Sequence, residues 1–245
     1  MMSLWCWSLL LWVLLCVPMQ AGPLAERMAQ FPDWGSPRTQ RAQGDLIYPD
    51  WFQGTWQVST KLVDLVAPLA PEITTPGFEG NRSLLNQPVH FQARFNGKPG
   101  RIVADRTFNG RNLAKAYLGN AVQNVKADPA DPNRQVTLLR GNRQLVSIVT
   151  QRATETPSPE RYITSEVFEQ VFRGAGSVRF NRVETTTDYI QQIEPNGEPL
   201  LNADQITAVY LSPQDPDYFK AANRPVALYR YHLCFESDSK SAELL

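Results

Sequence analysis

QVTLLRGNRQLVSIV, Gln135 to Val149, decides the fold class. Apolar and polar side chains alternate on both sides of Gly141-Asn142, a dipeptide suited to a two-residue hairpin turn. That turn predicts Leu138 opposite Leu145 and Arg140 opposite Arg143. The pattern is that of a half-buried antiparallel hairpin. The two arginines beside the turn either splay into solvent or hold an anion between them.

Moving outward, the same chemistry recurs. Val89, Phe91, Ala93 and Phe95 share one strand face, and His90, Gln92 and Arg94 share the other. Asn96-Gly97 turns the chain into a strand from Arg101 to Phe108, and Asn109-Gly110 marks a second tight turn. From Asn112 to Lys126, apolar residues fall near helical spacing behind an Asn cap. A short helix is expected there, with a strand as the alternative. Tyr162–Arg173 and the Thr-rich Val178–Ile193 read as strands; Glu194–Gly197 turns the chain, and Gln205–Leu211 with Pro225–Phe235 completes the set. Ser212–Ala222 reads as a loop ending in a helical turn. About eight to ten sequential antiparallel strands must close or fold on themselves to protect their edges. The expected fold is mainly β, an antiparallel barrel with one or two short helices.

The 245 residues are 42% hydrophobic, and 24 basic residues balance 24 acidic ones. No net field draws in nucleic acid, so none is expected as a partner. Residues 1–21 carry no Asp, Glu, Lys or Arg and hold a continuous apolar run from Leu9 to Met19. They read as a signal peptide cleaved near Ala21, with an uncleaved anchor as the rival. The expected organisation is a leader at 1–21, an arm or linker at 22–46, a barrel domain at 47–236 and a flexible tail at 237–245. Cleavage leaves Cys234 as the one cysteine, expected to be a buried inert thiol.

Catalytic and metal motifs are lacking. With only His90 and His232, a His-rich metal site is excluded. His232, in YRYHLCF near the end of the last strand, is a candidate haem ligand, against the commoner reading of an ordinary hydrogen-bonded histidine. Glu184 and Asp188 sit four apart on one strand face with Thr186 between them. At about 13 Å they suit neither glycosidase geometry, and a Thr-rich outer face accounts for them. SPQDPDYFK, Ser212 to Lys220, either fixes a turn or marks a contact surface. No cofactor is expected.

YPDWFQGTWQV, Tyr48 to Val58, crowds aromatics around Gly54. Gly54-Thr55-Trp56 resembles the signature of lipocalins and the wider calycin group, in which the Trp seals the closed end of a barrel. Thr187-Asp188-Tyr189 and Arg230 are then counterparts of that family's late motif and of the basic residue lying against the Trp. YPDWFQGTW, TPGFEGNR, ITSEVFEQVFRG, VETTTDY, YLSPQDPDYFKA and PVALYRY also resemble an uncharacterised family of cyanobacteria and chloroplasts. That likeness implies export to the thylakoid lumen or periplasm. Together they imply a barrel binding a small apolar molecule such as a pigment, quinone or lipid, with Trp56, Phe91 and Phe95 lining its pocket. The alternatives are an interaction or assembly factor at the photosynthetic membrane, and an isomerase or lyase using the pocket.

Overall fold

The computed structural model describes residues 21–238 other than 175, 177 and 196. The expected leader, up to residue 20, and the tail beyond residue 238 lie outside the described residues. In chain order the elements are α1 (Pro23–Ala29), β1 (Gln40–Arg41), β2 (Gly54–Val66), β3 (Pro88–Lys98), β4 (Arg101–Ala104), α2 (Arg106–Leu118), β5 (Val122–Ala127), β6 (Arg134–Leu139) and β7 (Arg143–Ser158). Then follow β8 (Arg161–Arg173), β9 (Arg179–Ile193), β10 (Pro199–Tyr210), α3 (Tyr218–Ala221) and β11 (Ala227–Ser237).

The strands form one antiparallel sheet in the order β4-β3-β2-β11-β10-β9-β8-β7-β6-β5, with β1 pairing β7 off this path. The sheet is curled into a half-barrel. Phe52, just before β2, touches both Phe95 on β3 and Tyr162 on β8, with ring centroids 5.0 and 6.3 Å away. In a flat sheet, strands five steps apart would lie about 24 Å from each other, beyond the reach of one ring. The shared contact therefore requires curvature. The face carrying Trp56, Phe95, Tyr162, Leu201 and Phe235 is concave, and these residues pack into one buried cluster.

The end strands β4 and β5 do not pair with each other. Instead the N-terminal arm joins the two sides of the gap. Gln40 and Arg41 pair with Arg152 and Gln151 on β7, past the end of the β6 ladder, and Tyr48 N–H then donates to Ile102 O on β4 at 2.8 Å. Helix α2 packs against β3 and β5 and fills the rest. Upstream, α1 lies on the outer face against β7, β8 and β9. Leu24 and Ala25 pack on Ile163, and Trp34 packs on Ile206, Ala208, Tyr210 and Leu228. The N-terminal arm is thus a strap that buries apolar surface.

Local expectations are corrected in three places. The hairpin loop comprises Arg140, Gly141 and Asn142, so Arg143 pairs with Leu139 and Leu145 with Thr137. Gly141 and Asn142 both take positive φ, 74° and 55°, and Arg140 joins them in the loop. Asn109-Gly110 lies inside α2 rather than in a turn, because Asp105 caps the helix by accepting from Phe108 N–H at 3.0 Å. Helix α2 ends at Leu118, and Val122–Ala127 is strand.

Candidate functional site

Alternation along the strands sorts the concave face into three levels. At the closed end, Tyr48, Phe52, Trp56, Phe95, Tyr162, Tyr189 and Phe235 interlock, largely edge to face. Trp56 Nε1 donates to Phe52 O at 2.8 Å, which satisfies the indole within the plug. Burial pushes the Tyr189 phenol up to about 12, and burial with the nearby Tyr189, Glu166 and Tyr162 raises that of Tyr48 well above its ordinary value. These rings are packing groups, and their hydroxyls stay protonated at neutral pH.

Above the plug lies a polar belt. Arg152 pairs with Glu166 at 2.7 Å, and it also donates to Asn133 Oδ1 and Gly44 O. Thr187 donates to Gln205 Oε1 at 3.2 Å. Buried charge of this kind holds only where its hydrogen bonds are met, and the Arg152 contacts to the loop before β6 and to the arm meet them.

The open end carries a groove of about 1100 Å³. Phe172 of β8, Val209 of β10 and Tyr229 of β11 contribute its apolar side, and residues 73–76 and 211–217 form the facing wall. Arg143, Arg173 and Arg179 reach it from the tips of β7, β8 and β9. The Arg143 stem lies so close to Gly174 that a Cβ there would sit 2.5 Å from its Cγ, and Gly174 has φ 154°. A side chain at that position would push the arginine off the rim. Opposite, Asp215 accepts from Ser212 N–H, and Asp217 pairs with Lys220 at 2.6 Å.

The expected lining residues Trp56, Phe91 and Phe95 do come together, but in the closed-end cluster. The groove is lined by other side chains. Gly54 has φ 125° and no atom near its missing Cβ, so backbone conformation explains it rather than close approach. Asp188 turns outward to a bidentate pair with Arg161, at 2.7 Å for the closest contact, while Tyr189 faces inward against Phe52 and Phe235. Arg230 is not laid against Trp56. It faces outward, pairs with Asp204 at 3.0 Å and lies over Phe31 of the arm. His232 also faces outward, its side chain 57% exposed and its Nδ1 on Asp204. Cys234 is a free, partly buried thiol whose pKa is raised by that burial.

The face of β9 that carries Glu184, Thr186 and Asp188 is the outer one, but Thr185 and Thr187 face inward, and the strap roofs the outer face at Glu184. Glu184 is fully buried there. Arg27 pairs with it at 2.8 Å, Trp34 Nε1 and the Tyr210 hydroxyl donate to it, and Ser165 and Thr186 add hydroxyl contacts. No local signal marks this cluster, because its members come from the arm and three strands. Among the described residues no group of His, Cys, Asp and Glu could hold a metal ion, and no helix is long and apolar enough to cross a membrane.

A family model for DUF6816, a domain of unknown function, matches residues 40–239. The chain belongs to this family. The match takes in all eleven strands of the DUF6816 domain and starts after α1 and Trp34, so the outer part of the strap lies outside it. No curated protein and no solved structure matches the chain.

Proposed function

We propose that the half-barrel binds a small apolar molecule without transforming it, and that the ligand occupies the groove at its open end. The observation that carries this reading is the groove itself, about 1100 Å³ with Phe172, Val209 and Tyr229 along one side. Small-molecule sites are concave and mainly apolar, with a few polar groups that orient the ligand, and their volumes run to about 1,000 Å³. The closed-end plug, with Trp56, Phe91 and Phe95, then serves as the rigid base. A lipocalin-like division of labour, with one end stoppered and the other receptive, fits this arrangement. Export to a lumen or periplasm through the leader at 1–21 belongs to the same proposal, and a pigment, quinone or lipid is the ligand class considered.

A second reading has one specific observation behind it. Phe219, beside the groove on α3, is 88% exposed, which suits contact with a protein partner or an assembly at a photosynthetic membrane.

Titration with the neutral apolar dye Nile red tests the first reading. Saturable binding is expected, weakened at least tenfold by Phe172→Ser with Phe180→Ser. Absence of saturable binding to the wild-type chain would sink it.

A further inference from the structure

We propose that the groove receives an anion-headed amphiphile, a carboxylate or phosphate on a single apolar chain, with Arg143 and Arg179 as the head-group receptors. This rests on the groove being the binding site. Register places the receptors. Phe172 pairs with Leu145 on β7 and with Arg179 on β9, so Arg179 stands directly beside the apolar side of the groove. Arg143 lies two residues before Leu145, on the same face and nearer the rim.

The charges there are available. Among the described residues none of Arg143, Arg173 and Arg179 forms an ion pair, whereas Arg94, Arg134, Arg152 and Arg161 each hold a carboxylate. Arg143 Nε donates to Arg140 O at 3.0 Å, which fixes the stem and leaves the terminal nitrogens for another acceptor. The acids on the facing wall are engaged by their own loop, Asp215 by Ser212 N–H and Asp217 by Lys220. Guanidinium groups in a recess shielded on one side bind carboxylate and phosphate oxygens more strongly than they do in open water. Val178 and Phe180, both exposed, add apolar surface at the edge of the groove, on the strand face opposite to Arg179. Inward-facing arginines opposed by a loop wall fit a single chain rather than the plane of a bilayer.

The test is displacement of Nile red from the full chain by dodecanoate, dodecanol and dodecyltrimethylammonium, all below their micelle-forming concentrations. Dodecanoate should displace at a concentration at least tenfold below dodecanol, with the cation weakest. In Arg143→Gln with Arg179→Gln that preference should vanish while dodecanol is unchanged within twofold. Both positions are exposed, so folding should survive, and circular dichroism checks this. Equal potency of dodecanoate and dodecanol on the wild type overturns the head-group assignment and leaves apolar binding standing. Failure of all three to displace the dye overturns both readings. Co-sedimentation with phosphatidylglycerol vesicles, absent with phosphatidylcholine and not competed by dodecanoate, would assign the arginines to a membrane surface and overturn the single-chain ligand.

Discussion

Arg27 and Glu184, 157 residues apart in the chain, form a 2.8 Å ion pair from which solvent is excluded on both sides. Each is further satisfied, Arg27 by Gly35 O and by stacking on Trp34, Glu184 by Trp34, Tyr210, Ser165 and Thr186. Removing one member strands the other charge in a dry site. Arg27→Met should therefore cost about 3–5 kcal/mol in urea unfolding, and Arg27→Met with Glu184→Leu should recover more than half of that. A single-variant loss under about 1 kcal/mol would mean the strap is not docked in solution.

Truncation probes the same strap on a larger scale. A chain starting at Gln40 keeps β1 but loses α1 and Trp34, uncovering Ile206, Tyr210 and Leu228. It should be clearly less stable and should bind hydrophobic dyes on its outer face, in a manner the groove substitutions do not abolish. Equal stability of long and short chains would contradict the packing described.

The Trp56 indole is buried and its N–H is engaged. Trp56→Ala should destabilise by about 3–5 kcal/mol. Trp56→Phe keeps much of the packing but leaves the Phe52 carbonyl without its donor, for a smaller loss of about 1–3 kcal/mol. Thermal unfolding of the pair would show whether volume or hydrogen bonding dominates at the closed end.

Alkaline pH should weaken the fold. The Tyr189 phenol ionises near 12 in the folded protein, raised by burial above its ordinary value, and Tyr48, Tyr162, Tyr210 and Tyr231 move in the same direction. A raised pKa means the unfolded chain gives up its protons first. The stabilisation is complete below pH 10 and is lost as pH climbs from about 10 towards 12, by roughly 1.4 kcal/mol per pH unit for each fully buried tyrosine. Denaturant midpoints measured at pH 9 and pH 11 should diverge, and Tyr189→Phe should narrow the gap. A flat profile would mean that these phenols are solvated.

His232 supplies a contrast. Half of its side chain is in water, and Arg230 continues to neutralise Asp204 without it. His232→Ala should change stability by less than about 0.5 kcal/mol, in line with other exposed positions. Its absorption spectrum with added hemin should match that of the wild type, and a Soret band lost only in the variant would reinstate an axial ligand.

Strands announced themselves wherever β-branched and aromatic residues alternated, as in Val89–Phe95 and Tyr162–Arg173, because one face of each must be apolar to be buried. The start of α2 was also legible in principle. Asp105 is a good cap, but Asn109-Gly110, four residues later, carries an equally strong turn signal. The hairpin slipped by one residue because either a two-residue or a three-residue loop can be built on Gly141-Asn142. What sequence could not disclose was assembly. Glu184 reads as an outward carboxylate until Arg27 is brought to it, and the groove gathers side chains from distant segments that share no local pattern. Alternation places Phe91 and Phe95 on one strand face, but it does not tell which end of a barrel is packed solid.

Because the segment that links β7 to β4 precedes every long strand in the chain, it leaves the ribosome before them and waits for its partners. Gln40 must be held in reserve until Arg152 has been made, and Arg27 until Glu184. Nascent chains should therefore expose Leu24 and Trp34 through most of synthesis, which makes this stretch the natural handle for a chaperone. The ring is completed late, by long-range contacts that form slowly.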